Sequence, residues 1–460
     1  MRICILRAAP GQGDDTHYSD IGLFTDRHTF EQRFINKDTI KPDLNLAAAE
    51  NFDLYFNFLH WAWHGSTHKA AAVLAAKYIE YLAIPVIGLP IRILERCDLD
   101  TFGRFMLENV DIDIGQLQEE NLMVGQEYSC TTIELDNTPI PLSPVPQIDT
   151  GVLSKLASRI SSPSNSSLFN TIQKLAEDAF YANDLHGSFW CTFHFRVTVD
   201  AKPVLAGINP MPKTIFPFTS APEACAVRES FPGSYRSLMQ SLIASYFLKR
   251  NRNFEVFRKI GEEYDEVAPI YDDVTKGVYY DGVNTILKKY NFDGIVLDVA
   301  CGTGLVARLH GNPHNLSRFI GMELSSQMRT ECVRHGLYST VLVGPMQRLL
   351  ITYKDPVDHI ICMGAFHFLD TNELSLVLSR AFQLARRSVT FTIDEIPNSY
   401  KKAQSTRGRE YMAGFNHLDE VERYGTPVGW KLADRWRYLG WASPTTGDEV
   451  YSNVFRFEAL

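Results

Sequence analysis

The residues best suited to chemistry lie in the second half of the chain. Val296-Leu297-Asp298-Val299-Ala300-Cys301-Gly302-Thr303-Gly304 reads as a short buried strand running into a glycine turn. Phe319-Ile320-Gly321-Met322-Glu323 reads as a second strand that ends on a carboxylate. Glycines let backbone approach a ligand closely, and an acid at the end of the second strand accepts hydrogen bonds from ribose hydroxyls. The pair therefore predicts a nucleoside held at the carboxyl ends of parallel strands. Farther on, residues 358–369 read as another strand, whose end carries Met363, Gly364 and His367. Histidine is the side chain that ordinarily titrates nearest neutrality, which makes His367 the candidate general base for an acceptor that must lose a proton.

The string D-x-A-C-G-T-G, with Glu323 following it, resembles motif I and the ribose-binding acid of class I S-adenosylmethionine-dependent methyltransferases. Tyr264-Asp265-Glu266-Val267-Ala268-Pro269-Ile270-Tyr271-Asp272 resembles the segment that caps the cofactor in many small-molecule members, and residues 358–369 resemble motif IV. The resemblance implies a Rossmann-like domain with S-adenosyl-L-methionine as cofactor. It implies that Asp298 orients the cofactor's amino group and that Ala300, Gly302 and Gly304 give backbone clearance. Glu323 would hold both ribose hydroxyls, and Tyr264 and Tyr271 would close over the ligand. Met328, Met346, Met363 and Gly364 complete the expected lining, with Met346 standing where many relatives carry an acid that reads the adenine amino group. Asp394 and Glu395 end the next strand and are candidates for holding a cationic amine. Tyr400, Tyr411 and His417 fall in an insertion over 398–422, where this family builds its substrate lid. No Asn/Asp-Pro-Pro-Tyr string, the mark of amide- and nucleobase-nitrogen methylation, is present. The expected reaction is methyl transfer to oxygen or nitrogen of a small molecule.

The first half carries a second resemblance. Phe56-Asn57-Phe58-Leu59-His60 and Glu80-Tyr81-Leu82-Ala83-Ile84-Pro85-Val86-Ile87-Gly88 are similar to the N-terminal domain of D-alanine–D-alanine ligases of the ATP-grasp superfamily. Leu122-Met123-Val124-Gly125-Gln126-Glu127-Tyr128-Ser129 and Gly207-Ile208-Asn209-Pro210-Met211-Pro212 follow in the family's order. Active members hold magnesium with two carboxylates and an asparagine, because hard cations need anionic oxygen ligands. The two carboxylate places fall here on Thr192 and Gly207, and only Asn209 remains. Between Val110 and Glu119 there is no room for the lid that closes over the nucleotide. The resemblance thus implies a degenerate domain over residues 1–250, with no metal, serving as scaffold, substrate platform or surface for a homodimer. The methyltransferase domain would occupy residues 251–460. An active ligase joined to the methyltransferase, and a non-catalytic protein that senses the cofactor, are the alternative readings. His60, His64 and His68 lie at helical spacing, but Gly65 and the flanking Trp61 and Trp63 make them loop or core histidines rather than metal ligands.

Bulk composition sets the outer limits. A chain of 460 residues exceeds one ordinary core, so two α/β domains are expected. A formal charge of −9 argues against the basic surface that phosphate neutralisation requires, so no nucleic-acid partner is expected. Eight cysteines are scattered without C-x-x-C pairs, which suits a reduced, cytoplasmic protein. Met1–Leu6 is too short an apolar run for a signal peptide, and no stretch approaches a membrane span, so the expected partner is a small-molecule substrate.

Overall fold

The computed structural model describes residues 1–12, 21–63, 69–96, 126–147, 166–198, 202–210, 212, 221–311, 317–443 and 446–460. The chain divides into two compact units, Met1–Phe231 and Pro232–Leu460.

The first unit holds two sheets. Strands β1 (Arg2–Ala8), β2 (Thr29–Ile35), β3 (Leu54–Asn57) and β4 (Val86–Ile87) form a parallel sheet in the order β2-β1-β3-β4. Ile3, Cys4, Ile5 and Leu6 of β1 are all buried, as an apolar run in a parallel strand covered on both faces should be. Helices Ile40–Ala49 and Lys69–Leu82 make the crossovers. The second sheet is antiparallel, with β5 (Gln126–Leu135), β6 (Thr138–Pro141), β8 (Trp190–Val197) and β9 (Pro203–Asn209) in the order β6-β5-β8-β9, and β7 (Val145–Pro146) beside β5. Asp136 and Asn137 both take positive φ and close the β5–β6 hairpin, a conformation these two residue types tolerate.

His60 is buried in this unit, and burial pushes its pKa down to about 3, so the ring stays neutral. His64 and His68 lie outside the described residues, as do the expected lid position between 110 and 119 and the first four residues of the 122–129 segment. Among the described residues, no group of three His, Cys, Asp or Glu side chains is placed to hold a metal ion, and no helix is long and apolar enough to cross a membrane.

The second unit is one seven-stranded sheet. β10 (Gly294–Val299), β11 (Ser317–Glu323), β12 (Tyr338–Val343), β13 (Val357–Cys362) and β14 (Ala385–Glu395) are parallel, and β15 (Trp430–Ala442) and β16 (Glu449–Ala459) extend it antiparallel. The order β12-β11-β10-β13-β14-β16-β15 reverses direction between β10 and β13. Crevices for ligands form at such a switch point, beyond the carboxyl ends of the strands. Both the glycine turn after β10 and the Met363–His367 segment after β13 therefore start at that crevice. Val283, Ile286, Val296, Phe319, Ile361 and Val454 pack together beneath it.

The unit boundary falls at Phe231/Pro232, about one helix before the position expected near 250. Helix Ser234–Lys249 belongs to the second unit, where Ser237 and Gln240 meet Ser379 and Ser375 of helix Thr371–Leu384. Ser237 Oγ lies 2.6 Å from Ser379 Oγ, and Ser375 Oγ donates to Gln240 Oε1 at 2.5 Å. The helix is buried on almost every side, and Phe247 is among the residues left partly exposed. Hydrophobic spacing alone does not reveal this, because polar side chains such as Ser237 and Gln240 are buried where a neighbouring helix supplies their hydrogen bonds.

Candidate functional site

The turn after β10 is built on left-handed backbone. Ala300, Gly302 and Gly304 have φ of 60°, 55° and 85°. A non-glycine residue in that region is strained, so Ala300 stores a cost that the surrounding turn must sustain. Gly304 serves packing rather than clearance for a ligand: a Cβ there would lie 3.0 Å from the Tyr338 ring and 3.1 Å from Cys332 Sγ.

Glu323, buried at the end of β11, already accepts three backbone hydrogen bonds. Gly302 N–H reaches Oε2 at 2.8 Å, and the Leu324 and Ser325 N–H groups reach Oε1 at 2.8 and 2.9 Å. A carboxylate offers about four acceptor positions, so one remains, on Oε2. The expected grip on two ribose hydroxyls is therefore reduced to one in this geometry. Burial raises the Glu323 pKa, against the lowering effect of these same backbone donors. Asp298, equally buried, receives one hydrogen bond, from the Tyr338 hydroxyl at 2.5 Å. Burial pushes its pKa up to about 7.

The 264–272 segment contributes two Tyr-Asp pairs with divided labour. Each tyrosine faces the crevice, and each aspartate fastens the segment to a different strand end. Asp265 accepts from Ser325 Oγ at 2.6 Å and from Gln327 N–H at 2.9 Å, at the start of helix Ser326–Arg334. Asp272 accepts from Thr303 Oγ1 at 2.6 Å and pairs with Arg308 at 2.7 Å, at the glycine turn. Burial is the largest single influence and pushes the Asp272 carboxyl up, but the hydrogen bonds from Thr303 and Arg308 and the Arg308 charge together hold it below its usual range.

These elements line an open pocket, with about 1010 Å³ of space between its walls and at its mouth. Tyr264, Tyr271, Asp298, Ala300, Gly302, Glu323, Met328, Met346, Met363 and Gly364 all line it, which leaves Gly304 as the one expected cofactor residue outside the lining. Met328 is 1% exposed, so it is at once core and pocket wall. Sequence reasoning passed over Phe257, Ile260, Tyr279, Leu324 and Gln347, which also line the pocket. Gln347 is the residue after Met346, and its buried amide is the polar group at the place where an acid was sought. Tyr279 donates to the Met363 carbonyl at 3.2 Å and covers Gly364, where a Cβ would meet its ring at 3.3 Å.

His367 is not in that lining. It faces a second cavity, of about 1290 Å³ including its mouth, which shares Phe257 and Phe368 with the first. Its Nδ1 lies 3.2 Å from the Asp394 carboxylate at the end of β14. Asp394 also accepts from Ser452 Oγ at 2.6 Å and Trp441 Nε1 at 3.3 Å. Burial pushes its pKa up, but His367, Ser452 and Trp441 outweigh it and the net shift is downward, so the group stays ionised. Glu395 is engaged elsewhere, by Arg437 at 2.8 and 3.0 Å and by Asn453 at 2.8 Å. Neither acid is free for the cationic amine expected of them.

Of the insertion residues, Tyr411 lines the second cavity and donates to Glu263 at 2.8 Å, and Tyr400 packs edge-on against Trp441. His417 is a brace and does not reach the cavity: its buried Nε2 donates to the Leu369 carbonyl at 2.8 Å, and burial pushes its pKa down to about 4. The insertion lies close over His367. Phe415 N–H donates to the His367 carbonyl at 2.8 Å, and a Cβ on Gly414 would approach the ring to 3.2 Å.

Residues 296–388, from β10 into β14, match the model of a methyltransferase domain. The chain is an enzyme that transfers methyl groups, and its cofactor is S-adenosyl-L-methionine. Among solved structures it is similar to magnesium protoporphyrin IX methyltransferase from Synechocystis PCC 6803 with bound SAH. The identity there is 14%, covering 48% of this chain and 99% of that one, with a TM-score of 0.32. It is also similar to a SAM-dependent methyltransferase from Anabaena variabilis, at 12% identity over 45% of this chain and 95% of that one, with a TM-score of 0.32. No curated protein matches the chain.

Proposed function

We propose that this enzyme methylates an oxygen or nitrogen of a small molecule, with His367 as general base and Asp394 positioning it. The observation that supports this reading is the placement of His367. Its side chain is nine-tenths buried, it sits beside an ionised carboxylate, and it faces a cavity of small-molecule size that adjoins the cofactor pocket. The residues of the first pocket suit the cofactor. Asp298 would take its cationic amine, the free position on Glu323 Oε2 a ribose hydroxyl, and Tyr264, Tyr271 and the methionines its apolar faces. When bound, S-adenosyl-L-methionine supplies an electrophilic methyl carbon on a sulfonium. The chain's own contribution is alignment, exclusion of water and custody of one proton. His367 accepts that proton at Nε2, and Asp394, fixed by Ser452 and Trp441, steadies the resulting imidazolium at Nδ1.

The first unit we read as a truncated, degenerate ATP-grasp domain of the D-alanine–D-alanine-ligase type, acting as platform or homodimer surface. Supporting this, the two positions where magnesium carboxylates belong are Thr192, wholly buried opposite Asn209, and Gly207, opposite His194. An amino-acid-derived or peptide-like acceptor from cytoplasmic secondary metabolism accords with such a companion. The test is to incubate the full chain with methyl-labelled cofactor and a small-molecule extract. Label in a low-mass product is expected, whereas label confined to protein or nucleic acid refutes the proposal.

A further inference from the structure

We propose that the cavity beyond Phe257 and Phe368 is the acceptor site, and that it takes a planar aromatic hydroxyl, presenting a phenol-type oxygen to Nε2 of His367. The inference rests on the methyl-transfer reading above and names its substrate class.

Shape comes first. Helix Phe254–Val267 contributes Phe257, the segment after β13 contributes Phe368, and the insertion contributes Tyr411 and Phe415. The same lining includes residues with little or no side chain, Gly408, Ala413 and Gly414. A lining of aromatic rings and small residues accepts a flat ring better than a branched or extended chain. Polarity follows. His367 is the nine-tenths-buried polar side chain that lines this space; its Nδ1 has Asp394 at 3.2 Å as its ion-pair partner, and no described residue hydrogen-bonds its Nε2. A ligand hydroxyl supplies the missing partner.

The acids around the cavity do not form a cation site. Asp370 and Glu373 form the capping box of helix Thr371–Leu384, accepting and returning backbone hydrogen bonds. Glu255 is held by Arg258 at 2.7 Å. On the rim, Glu410 and Lys259 offset each other in sign. A protonated amine would therefore enter a space with no carboxylate set aside for it.

Proton affinity narrows the class further. Histidine ordinarily titrates near 6.5 and a phenol near 10, a gap of roughly 3.5 units. An aliphatic hydroxyl, whose acidity is close to water's, lies roughly nine units above histidine. A histidine base thus suits an aromatic hydroxyl far better than an aliphatic one. In the step, the phenolic oxygen gives its proton to Nε2 and forms the new bond to the methyl carbon. The electron pair of the broken carbon–sulfur bond goes to sulfur, which becomes a neutral thioether, and His367 later returns its proton to water.

The experiment uses the full chain, labelled cofactor and three probes of one ring system: 2-naphthol, naphthalen-2-ylmethanol and naphthalen-2-ylmethylamine. Cofactor binding is first established by calorimetry; its absence would sink the methyl-transfer reading itself. With cofactor bound, label should enter 2-naphthol at least a hundredfold faster than either other probe. Comparable rates, preference for the alcohol or amine, or transfer to none of the three would overturn the aromatic-hydroxyl assignment. Ala413→Phe should fill the cavity, leaving cofactor affinity within about twofold while reducing transfer to 2-naphthol more than tenfold. Unchanged transfer with that variant would place the acceptor elsewhere.

Discussion

As pH falls from about 8 to about 6, cofactor affinity should fall with it, through Asp298. This carboxylate is 1% exposed and has a single donor, Tyr338, while burial and the nearby Glu323 raise its pKa from 3.8 to about 7. A displacement of that size amounts to about 4 kcal/mol in favour of the protonated form of the ligand-free domain. The sign follows directly. Between about pH 4 and 7 the folded, ligand-free protein binds more protons than the unfolded chain, so this group's contribution to stability is lost as pH rises through that window. A cationic amine placed beside Asp298 favours the ionised form instead, so binding below about pH 7 must expel a proton. Affinity should drop by up to about tenfold for each unit below 7. Calorimetry at about pH 6 in two buffers of different ionisation enthalpy should show release approaching one proton per cofactor. Glu323 shifts in the same direction, so Asp298→Asn isolates the Asp298 share by removing most of the dependence. Tyr338→Phe deletes the donor that holds the pKa down, and should move the midpoint upward. An affinity that stays flat from about pH 5.5 to 8, or an Asp298→Asn variant with undiminished dependence, would refute the reasoning.

Other outcomes follow from the same geometry. Glu323→Ala leaves the Gly302, Leu324 and Ser325 N–H groups without their acceptor, and should cost about 1–3 kcal/mol of stability in thermal unfolding. Glu323→Gln should spare much of that stability but still weaken cofactor binding by about 1.5–3 kcal/mol in calorimetry, as expected for one charged hydrogen bond. His367→Asn should slow methyl transfer roughly a hundredfold or more with cofactor affinity nearly intact. Asp394→Asn should also lower the turnover rate and leave cofactor affinity alone; a change confined to cofactor affinity would show that the pair has been misread. Asp272→Ala frees Arg308 and Thr303 and should weaken cofactor binding severalfold, a loss that a titration would detect. The first unit should release no phosphate from ATP, with or without magnesium and candidate amino acids, and amino-acid-stimulated release would restore the ligase reading.

How much of this site was legible in the sequence depends on how local each signal is. Asp298, the glycine turn and Glu323 stand out because a buried strand followed by residues that need positive φ is encoded within a few positions. The crevice then follows from topology, since every parallel strand presents its carboxyl end to the same side. Phe257, Tyr279 and Gln347 carry no special residue type and reach the pocket from separate helices, so nothing in their neighbourhoods marks them. Asp394 shows the limit most clearly. Its place at a strand end was visible, and a free acid there suggested a cationic ligand. Its partners come instead from β13's following segment, from β15 and from β16; β16 returns antiparallel beside β14 and brings Ser452, and β15, paired to the far side of β16, brings Trp441. Glu395, the next residue in the strand, is taken by Arg437 and Asn453. Alternation along β14 sends the two acids to opposite faces. One faces the crevice and serves a histidine, and the other faces away and serves a surface ion pair. A strand-end carboxylate is thus a ligand for whatever the neighbouring strands place before it, and here the non-local strand pairing gives the expected substrate anchor a histidine as its partner.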